Sequence, residues 1–299
     1  MDLRRLRFIV RVSDESSFTR AAQSLNVSQP TLSQQVRDLE RELGVELFHR
    51  GSRRVETTQA GRLVVQHARI VLGAVEALKE AVVEHRGLKR GSLHIGVTQT
   101  FNALYLPPIL TAFASDYPTI DLEVSELANA EIVDGIISGT LHLGVGIPQD
   151  AELEHIEPLY RDQLMFVCHS SHRLARARTV AIREIAEESL ALLGERFRTR
   201  TAVDSYLEGQ GVAPRRVLVF NTFAGILQTV SRGGHSTIMP ADVSRGAGAN
   251  DLRFVPLDPA PIERVVCLLS PVVGLRSPAS IEMARRIRSR FAAPYEGTD

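Results

Sequence analysis

Residues Ser16–Gly44, SSFTRAAQSLNVSQPTLSQQVRDLERELG, decide how this chain reads. The spacing predicts two short helices joined by a tight turn. The first begins after Ser17 and puts Phe18, Ala21, Ala22 and Leu25 on one apolar face. Asn26-Val27-Ser28 forms the turn. Ser28 is placed to cap the second helix, its hydroxyl accepting from unpaired N–H groups of the first turn. Pro30 is tolerated there because its missing N–H is not needed. Leu32, Val36, Leu39 and Leu43 recur at steps of four, three and four and so share one helical face. The opposite face carries Gln29, Thr31, Ser33, Gln34, Arg37 and Arg41. Amides, hydroxyls and guanidinium groups on a short exposed helix match the donors and acceptors of base edges in the major groove. In helix-turn-helix geometry the first residues of the second helix lie nearest those edges. A plain helical hairpin with a solvated outer face would share this pattern, so the flanking sequence has to decide.

Upstream, Leu3, Leu6, Ile9, Val10 and Val12 predict a helix that covers the hairpin. Downstream, Val45–Phe48 reads as a short strand returning to the core, followed by a turn at His49–Arg54 and a second extended run at Val55–Thr58. Extended, turn, extended is the outline of a wing. Arg50, Arg53 and Arg54 fall at its tip, where they would reach phosphates or a minor groove. The other reading is a solvated hairpin turn, and clustering beside a candidate recognition helix favours phosphate contact. Residues 1–58 hold ten Arg against eight Asp plus Glu, a net charge of only +2. A footprint that modest per subunit calls for dimerisation.

Thr58 is placed to cap a long helix reaching about Lys89. Val64, Ala68, Val71, Val75, Leu78, Val82 and His85 alternate in steps of four and three, a heptad seam suited to helix pairing. Some 30 residues of helix would span about 45 Å. An intramolecular packing helix is the alternative, but this length beside a small domain suits a dimerisation arm. A two-fold dimer would set its recognition helices about 34 Å apart, or a multiple of that.

Composition narrows the class. The 299 residues suffice for two or three domains, and 44% hydrophobic with 23% charged residues describes an ordinary soluble globular chain. Net charge is zero, so nucleic-acid binding must come from a local patch. The N-terminus MDLRRLRFIV lacks the apolar run of a signal peptide and no stretch approaches 18 uninterrupted apolar residues, so no membrane segment and a cytoplasmic site are expected. Cys168 and Cys267 sit in apolar runs and read as small buried hydrophobes. No CxxC, HExxH, GxSxG or P-loop is present, and Gly144-Val145-Gly146 lacks the third glycine of a dinucleotide loop. Cys168, His169 and His172 lack a fourth metal ligand. Neither catalysis nor a cofactor is expected.

The run AAQSLNVSQPTLSQQVRDLERELGVELFHR followed by TTQAG resembles the N-terminal domain of LysR-type transcriptional regulators, closely over residues 1–90 and at the level of architecture beyond. The resemblance implies an α/β chain with a winged helix-turn-helix, a long dimerising linker helix and a C-terminal effector domain. That last part would be similar to periplasmic binding proteins, with two α/β subdomains around a cleft. It also implies promoter DNA as partner, a homotetramer built as a dimer of dimers, and contact with RNA polymerase in activators. Carried over residue by residue, base contacts fall on Gln29, Pro30, Thr31, Ser33 and Gln34, and the wing contact falls on Arg53 beside Arg50 and Arg54. Many members carry a basic residue where this chain has Gln34, so base preference does not transfer. The family's peroxide sensors use a reactive cysteine pair in the second subdomain, whereas Cys168 and Cys267 lie in predicted strands.

The organisation expected is a DNA-binding domain over 1–58, a linker helix over 59–90 and an effector domain over 91–299. Subdomain 1 takes about 91–161 and 266–299, and subdomain 2 about 162–265, with crossings near Arg161 and Arg264 acting as hinges. Arg86–Gly91 reads as a further hinge-like stretch. From Ser92 onward strand-like runs alternate with helix-length segments: Leu93–Val97, Leu104–Tyr117, Asp121–Glu126, Ala130–Ser138 and Leu143–Val145. A second series starts at Gln163–Cys168, and together they predict βαβ units in a mostly parallel sheet. Ligands in such sheets bind at strand C-terminal ends. The first strand ends in Thr98-Gln99-Thr100-Phe101, where hydroxyls and an amide precede a helix start and a small anion or carboxylate would fit. Simple helix capping is the other reading. By resemblance, Asn129, Ile147, Phe197, Thr199, Arg200 and Phe223 face the same cleft, with Arg198 and Arg200 lending positive charge. VTQTF with ERFRTR is similar to the cyanate-responsive branch of the family, which does not by itself identify an effector. The competing class is a small-molecule binding protein or enzyme with an accessory helical domain, favoured only by the two-lobed half.

Overall fold

The computed structural model describes residues 1–49, 55–84, 91–148, 153, 155–246, 251–259, 261–271 and 277–291. The chain opens with three helices, α1 (Leu3–Glu15), α2 (Phe18–Ser24) and α3 (Gln29–Leu43). Side-chain caps start each of them: Asp2 accepts from the Arg5 N–H, Ser17 from Arg20 and Ser28 from Thr31. Their inner faces meet in one core. Leu6, Phe8, Ile9 and Val12 of α1 pack on Ala21 and Ala22 of α2 and on Leu32, Val36 and Leu39 of α3.

Two details of this unit depart from expectation and share a cause. Leu43, expected on the apolar seam, is exposed, and the inward position a turn earlier is taken by Glu40. The Glu40 carboxylate accepts from the backbone N–H of Leu47 (2.9 Å) and Phe48 (3.4 Å). A side chain therefore holds the segment that was expected to be strand Val45–Phe48. Val45 is exposed, and pairing begins only at β1 (Phe48–His49), antiparallel to β2 (Glu56–Thr57). Phe48 is fully buried and meets Phe18 edge-on at 5.7 Å. The wing arginines Arg50, Arg53 and Arg54 lie outside the described residues.

The long helix α4 (Gln59–Glu84) starts at Thr58, whose hydroxyl accepts from the Gly61 N–H (2.8 Å) and donates to the Glu46 carbonyl (2.7 Å). Gly61 is there because α4 runs directly against Leu47: a Cβ would fall 1.9 Å from the Leu47 carbonyl oxygen. The predicted heptad seam is not one surface. Ala68 is buried in the helix-turn-helix core with Val65, and Val64 and Leu72 lean on it. Val71 and Leu78 face solvent instead, together with Leu63. The helix's first turns have a second surface to cover, the small domain itself. His85 of the seam, and the hinge-like Arg86–Arg90, lie outside what is described. Midway along α4, Gly73 meets Gly139 backbone to backbone, where a Cβ on either would lie 3.0–3.2 Å from the other's Cα, tighter than an ordinary contact.

Beyond Gly91 come β3 (Gly91–Val97), α5 (Gln99–Leu104), α6 (Leu106–Asp116), β4 (Ile120–Glu126), α7 (Asn129–Ile137) and β5 (Leu143–Gly146). The long strand β6 (His155–His169) follows. After it come β7 (Val180–Ala181), β8 (Ser189–Leu193), α8 (Arg198–Gly209), β9 (Arg216–Phe220), α9 (Phe223–Val230) and β10 (Thr237–Pro240). The chain closes with β11 (Leu252–Val255), β12 (Leu257–Asp258), β13 (Ile262–Ser270) and α10 (Pro278–Phe291). Among the described residues the largest sheet has the order β10-β6-β13-β5-β3-β4, with β11 also paired to β6.

The sheet is mixed, not mostly parallel. β3 pairs parallel with β4 and β5, but β13 is antiparallel to both β5 and β6, and β10 and β11 are antiparallel to β6. The cause is the length of β6. Its first part pairs with β13 from His155–Ser270 to Leu164–Ile262, and its last part passes to β10 and β11. One continuous strand thus serves two hydrophobic cores. Leu93, Ile95, Phe113, Val145 and Met283 belong to one, and Phe166, Leu190, Val203 and Ile238 to the other.

Candidate DNA-binding face and effector cleft

On α3 the burial pattern separates two faces cleanly. Leu32, Val36 and Leu39 are fully buried, while Gln29, Pro30, Thr31, Gln34 and Arg37 are exposed and Ser33 is half-buried. The exposed polar groups satisfy one another along the helix. Gln29 Nε2 donates to Ser33 Oγ (2.9 Å), Gln34 Nε2 to Asp38 (2.8 Å), and Arg37 Nη2 to Gln34 Oε1 (2.8 Å). The Ser28 and Thr31 hydroxyls lie 2.7 Å apart. These are i,i+3 and i,i+4 pairs of small individual worth, readily exchanged for contacts with another molecule. The face is a continuous strip of donors and acceptors on a helix whose other side is locked into its core.

The second site lies at the C-terminal ends of β3 and β5, where Thr98 N–H donates to the Val145 carbonyl (3.1 Å). A small cavity of about 30 Å³ brings together Thr98, Gln99, Thr100, Asn129, Ile147, Phe197, Thr199 and Phe223 of the predicted residues. It does not include Phe101 or Arg200. Phe101 turns the other way on its helix and is fully buried, its ring 5.8 Å from Tyr105 and 6.1 Å from Phe291. Arg200 is engaged elsewhere: Nε donates to Asp204 at 2.8 Å and Nη1 to the Leu193 carbonyl at 3.1 Å. Arg198 lines the cavity instead, its Nη1 donating to Thr201 (3.4 Å).

Several lining side chains hold the cleft's own walls. Asn129 exchanges two hydrogen bonds with the Ile147 backbone, its Nδ2 donating to the carbonyl and its Oδ1 accepting from the N–H. Gln99 Nε2 donates to the Asn221 carbonyl (2.7 Å) and its Oε1 accepts from the Phe223 N–H (2.8 Å). The Gln99 amide thereby clasps the loop after β3 to the start of α9. The Tyr105 hydroxyl donates to buried Asp242 at 2.6 Å, a second tie in the same direction, and burial raises the phenol's pKa. Thr100 is the exception: it is buried, and among the described residues its hydroxyl has no hydrogen-bond partner.

One lining residue had no local signal in the sequence. Arg264 of β13 reaches the cavity wall and donates from Nη2 (2.6 Å) and Nε (3.1 Å) to Asp162 of β6, with both side chains nearly buried. The Gln163 N–H also donates to Asp162, at 2.8 Å. Burial pushes the Asp162 carboxyl up and the Arg264 guanidinium pulls it back down.

Both thiols are free and buried. Burial pushes the Cys168 thiol up to about 11 and raises Cys267 as well. At pH 8 the Cys168 thiolate is then on the order of one part in a thousand, and the thiolate is the reactive form. Iodoacetamide labelling followed by mass spectrometry is expected to run about 100-fold slower in the folded protein than for a free thiol. Millimolar hydrogen peroxide is expected to leave DNA affinity unchanged. Rapid labelling of either residue would contradict this.

Comparison with known proteins bears on both sites. Residues 3–62 match the family model for bacterial regulatory helix-turn-helix proteins of the lysR family, and residues 86–292 match that for the LysR substrate binding domain. An uncharacterized HTH-type transcriptional regulator, YwbI of Bacillus subtilis, is 30% identical over 258 residues, covering 86% of each chain. A full-length OxyR variant from Pseudomonas aeruginosa has a similar structure, with a TM-score of 0.69 at 25% identity over 96% of this chain and 95% of that one. Full-length CbnR complexed with its target DNA shares the fold, with a TM-score of 0.60 at 24% identity over 97% of this chain and 99% of that one. This chain belongs to the LysR family: it is a ligand-responsive, helix-turn-helix transcriptional regulator and not an enzyme.

Proposed function

We propose that this regulator binds a dyad-symmetric promoter site as a dimer of dimers. Binding of a small anion in the cleft at Thr98–Thr100 then changes DNA bending or RNA polymerase recruitment. The observation that carries the DNA half is the exposed strip Gln29, Pro30, Thr31, Gln34 and Arg37, with half-buried Ser33 among them, on a helix whose opposite face is fully buried. Such a helix fits the major groove, and CbnR, a protein of the same fold, forms a complex with its target DNA. Arg50, Arg53 and Arg54 are assigned to phosphate or minor-groove contact, in keeping with their place between β1 and β2. Residues 1–58 would form the DNA-binding unit and 59–90 the linker helix. The effector domain, 91–299, would have lobes at about 91–161 with 266–299 and at 162–265. The exposed Leu63, Val71 and Leu78 of α4 support pairing of linker helices between subunits. A promoter-binding protein of this kind works in the cytoplasm.

A cavity of about 30 Å³ supports an effector of only a few atoms, since one water needs roughly 10–15 Å³ of such space. Arg198, with the Thr98 and Thr199 side chains beside it, suits an anion that also accepts hydrogen bonds. Gln29→Ala is expected to lower discrimination between the operator and random DNA by about 1–3 kcal/mol while leaving nonspecific affinity nearly unchanged. Competitive binding titrations at fixed salt measure this. Equal losses on both DNAs would remove Gln29 from base readout.

A further inference from the structure

A cavity of about 320 Å³ lies where the helices of the DNA-binding half meet the effector half, at the opposite end of α7 from the polar cleft at Thr98–Thr100. α4 and α7 supply most of its wall, with the last turn of α1 at one side. Arg62, Gln66 and Arg69 stand at i, i+4 and i+7 on α4 and so share one face, and Asp134 and Ile137 stand at i and i+3 on α7. One turn beyond Arg69, the contact of Gly73 with Gly139 pins the two helices together at one end of the gap. Arg69 is already matched by Asp14 of α1. Two charges are left over, one on each side. Arg62 donates to the Thr57 carbonyl at 3.1 Å and meets no carboxylate among the described residues. Asp134 is exposed, and its carboxylate has no hydrogen-bond or ion-pair partner among the described residues.

Opposite charges facing one gap select the ligand. A plain anion would be drawn by Arg62 and repelled by Asp134, and a plain cation would meet the reverse. A zwitterion satisfies both: its carboxylate takes the planar guanidinium of Arg62 and its ammonium takes the Asp134 carboxylate. The exposed Gln66 amide can donate or accept beside them. Buried Val65 and half-buried Ile137 add an apolar patch that suits an aliphatic side chain. At about 30 Å³ per water-sized group, 320 Å³ holds roughly ten such groups, the size of a mid-sized amino acid. We propose that this cavity binds a free aliphatic amino acid, held as the zwitterion between Arg62 and Asp134. It shares no lining residue with the polar cleft and does not rest on the anion reading of that cleft. An occupant ties α4 to α7 at a second point beside the Gly73–Gly139 contact and so stiffens the joint between the two halves of the chain. Whatever arrangement of the halves it favours would in turn favour its binding, by the same factor.

Saturation-transfer NMR titration of the full-length protein tests it. L-leucine is the probe, and isocaproate and isopentylamine supply the same skeleton without the ammonium or without the carboxylate. Because both anchoring charges face solvent, leucine is expected to saturate in the millimolar range, and each single-charge analogue to bind about fivefold more weakly, the scale of an exposed ion pair. Asp134→Asn is expected to cost leucine a similar factor. Asp134→Lys turns the α7 side positive, so leucine binding is expected to drop below that of isocaproate, reversing the preference. Asp134 is exposed, so neither change disturbs the core. No saturable leucine signal at tens of millimolar would overturn the proposal. So would isocaproate or isopentylamine binding as tightly as leucine in the unaltered protein. Leucine binding that Asp134→Lys leaves untouched would place the amino acid elsewhere and overturn it too. Because the readout is probe binding through Asp134 and not DNA binding, failure of the anion-effector reading would leave this result standing.

Discussion

Asp162→Ala is expected to lower the unfolding free energy of the effector domain by about 3–5 kcal/mol, because it strands the Arg264 charge in a nearly buried position. The pair sits where β6 and β13 face each other, in direct register, and no other carboxylate is paired with Arg264 among the described ion pairs. The Gln163 N–H loses its acceptor in the same step. Urea titration followed by intrinsic tyrosine fluorescence measures the loss. A double replacement, Asp162→Leu with Arg264→Met, removes both charges and keeps apolar volume, so it is expected to recover most of that stability. If Asp162→Ala alone proved nearly neutral, the pair would be hydrated and the junction between the lobes loosely packed. Since Arg264 also lines the polar cleft, the double variant is expected to fold yet respond weakly to effector.

The second large effect belongs to Gly61→Ala, expected to cost about 1–3 kcal/mol as an overpacking change. Its methyl would lie 1.9 Å from the Leu47 carbonyl oxygen, which is backbone and cannot swing aside. That carbonyl also accepts from the Thr58 N–H (3.0 Å), and the Leu47 N–H is held by Glu40 of α3. Leu47 is thereby the joint between the recognition helix and the start of α4. Displacing it disturbs the Thr58 cap on one side and the seating of α3 on the other. Calorimetry is expected to show a lower melting temperature for the DNA-binding unit, by about 4–8 °C per kcal/mol for a unit of this size. Operator affinity should fall with it. An unchanged melting curve would mean that Leu47 moves freely, contrary to the hydrogen bonds that hold its N–H and its carbonyl.

What the sequence revealed follows how local the responsible interactions are. The caps at Ser28 and Thr58 act within three residues, and the apolar positions of α3 repeat within one turn, so both were legible. Glu40 was not. Between Arg37 and Arg41 it reads as one more solvated charge, and its partners come seven and eight residues later, after the helix has ended. Asp162 and Arg264 lie 102 residues apart and nothing near either suggests the other. Phe101 was drawn into the cleft by its polar neighbours, although on a helix it points away from Thr98 and Gln99 into the core. Arg200 did carry a readable sign: Asp204 stands four residues on, the spacing of a helical ion pair, and that pair takes the guanidinium away from the cleft. The mixed sheet was hidden because β6 extends well upstream of its apolar stretch, through His155–Asp162, where alternation is broken by Pro158 and by charge.

β6 and β13 pass the junction between the two cores as adjacent rungs of one ladder, interrupted only by a register shift at Val266–Cys267. Mechanically this is a torsion bar and not a pair of cords. Gaping apart would stretch or break interstrand bonds, whereas twisting the ribbon about its own axis leaves every rung in place. The soft motion expected of such a ladder is a swivel of small angle. A clamshell with loose straps can report its ligand by the width of its mouth; a twisting bar reports by the direction in which its ends point. Carried along the 26-residue α4, about 39 Å at 1.5 Å per residue, a swivel of about five degrees would move the far tip by about 3 Å. That displacement is comparable to the rise of one base pair, about 3.4 Å.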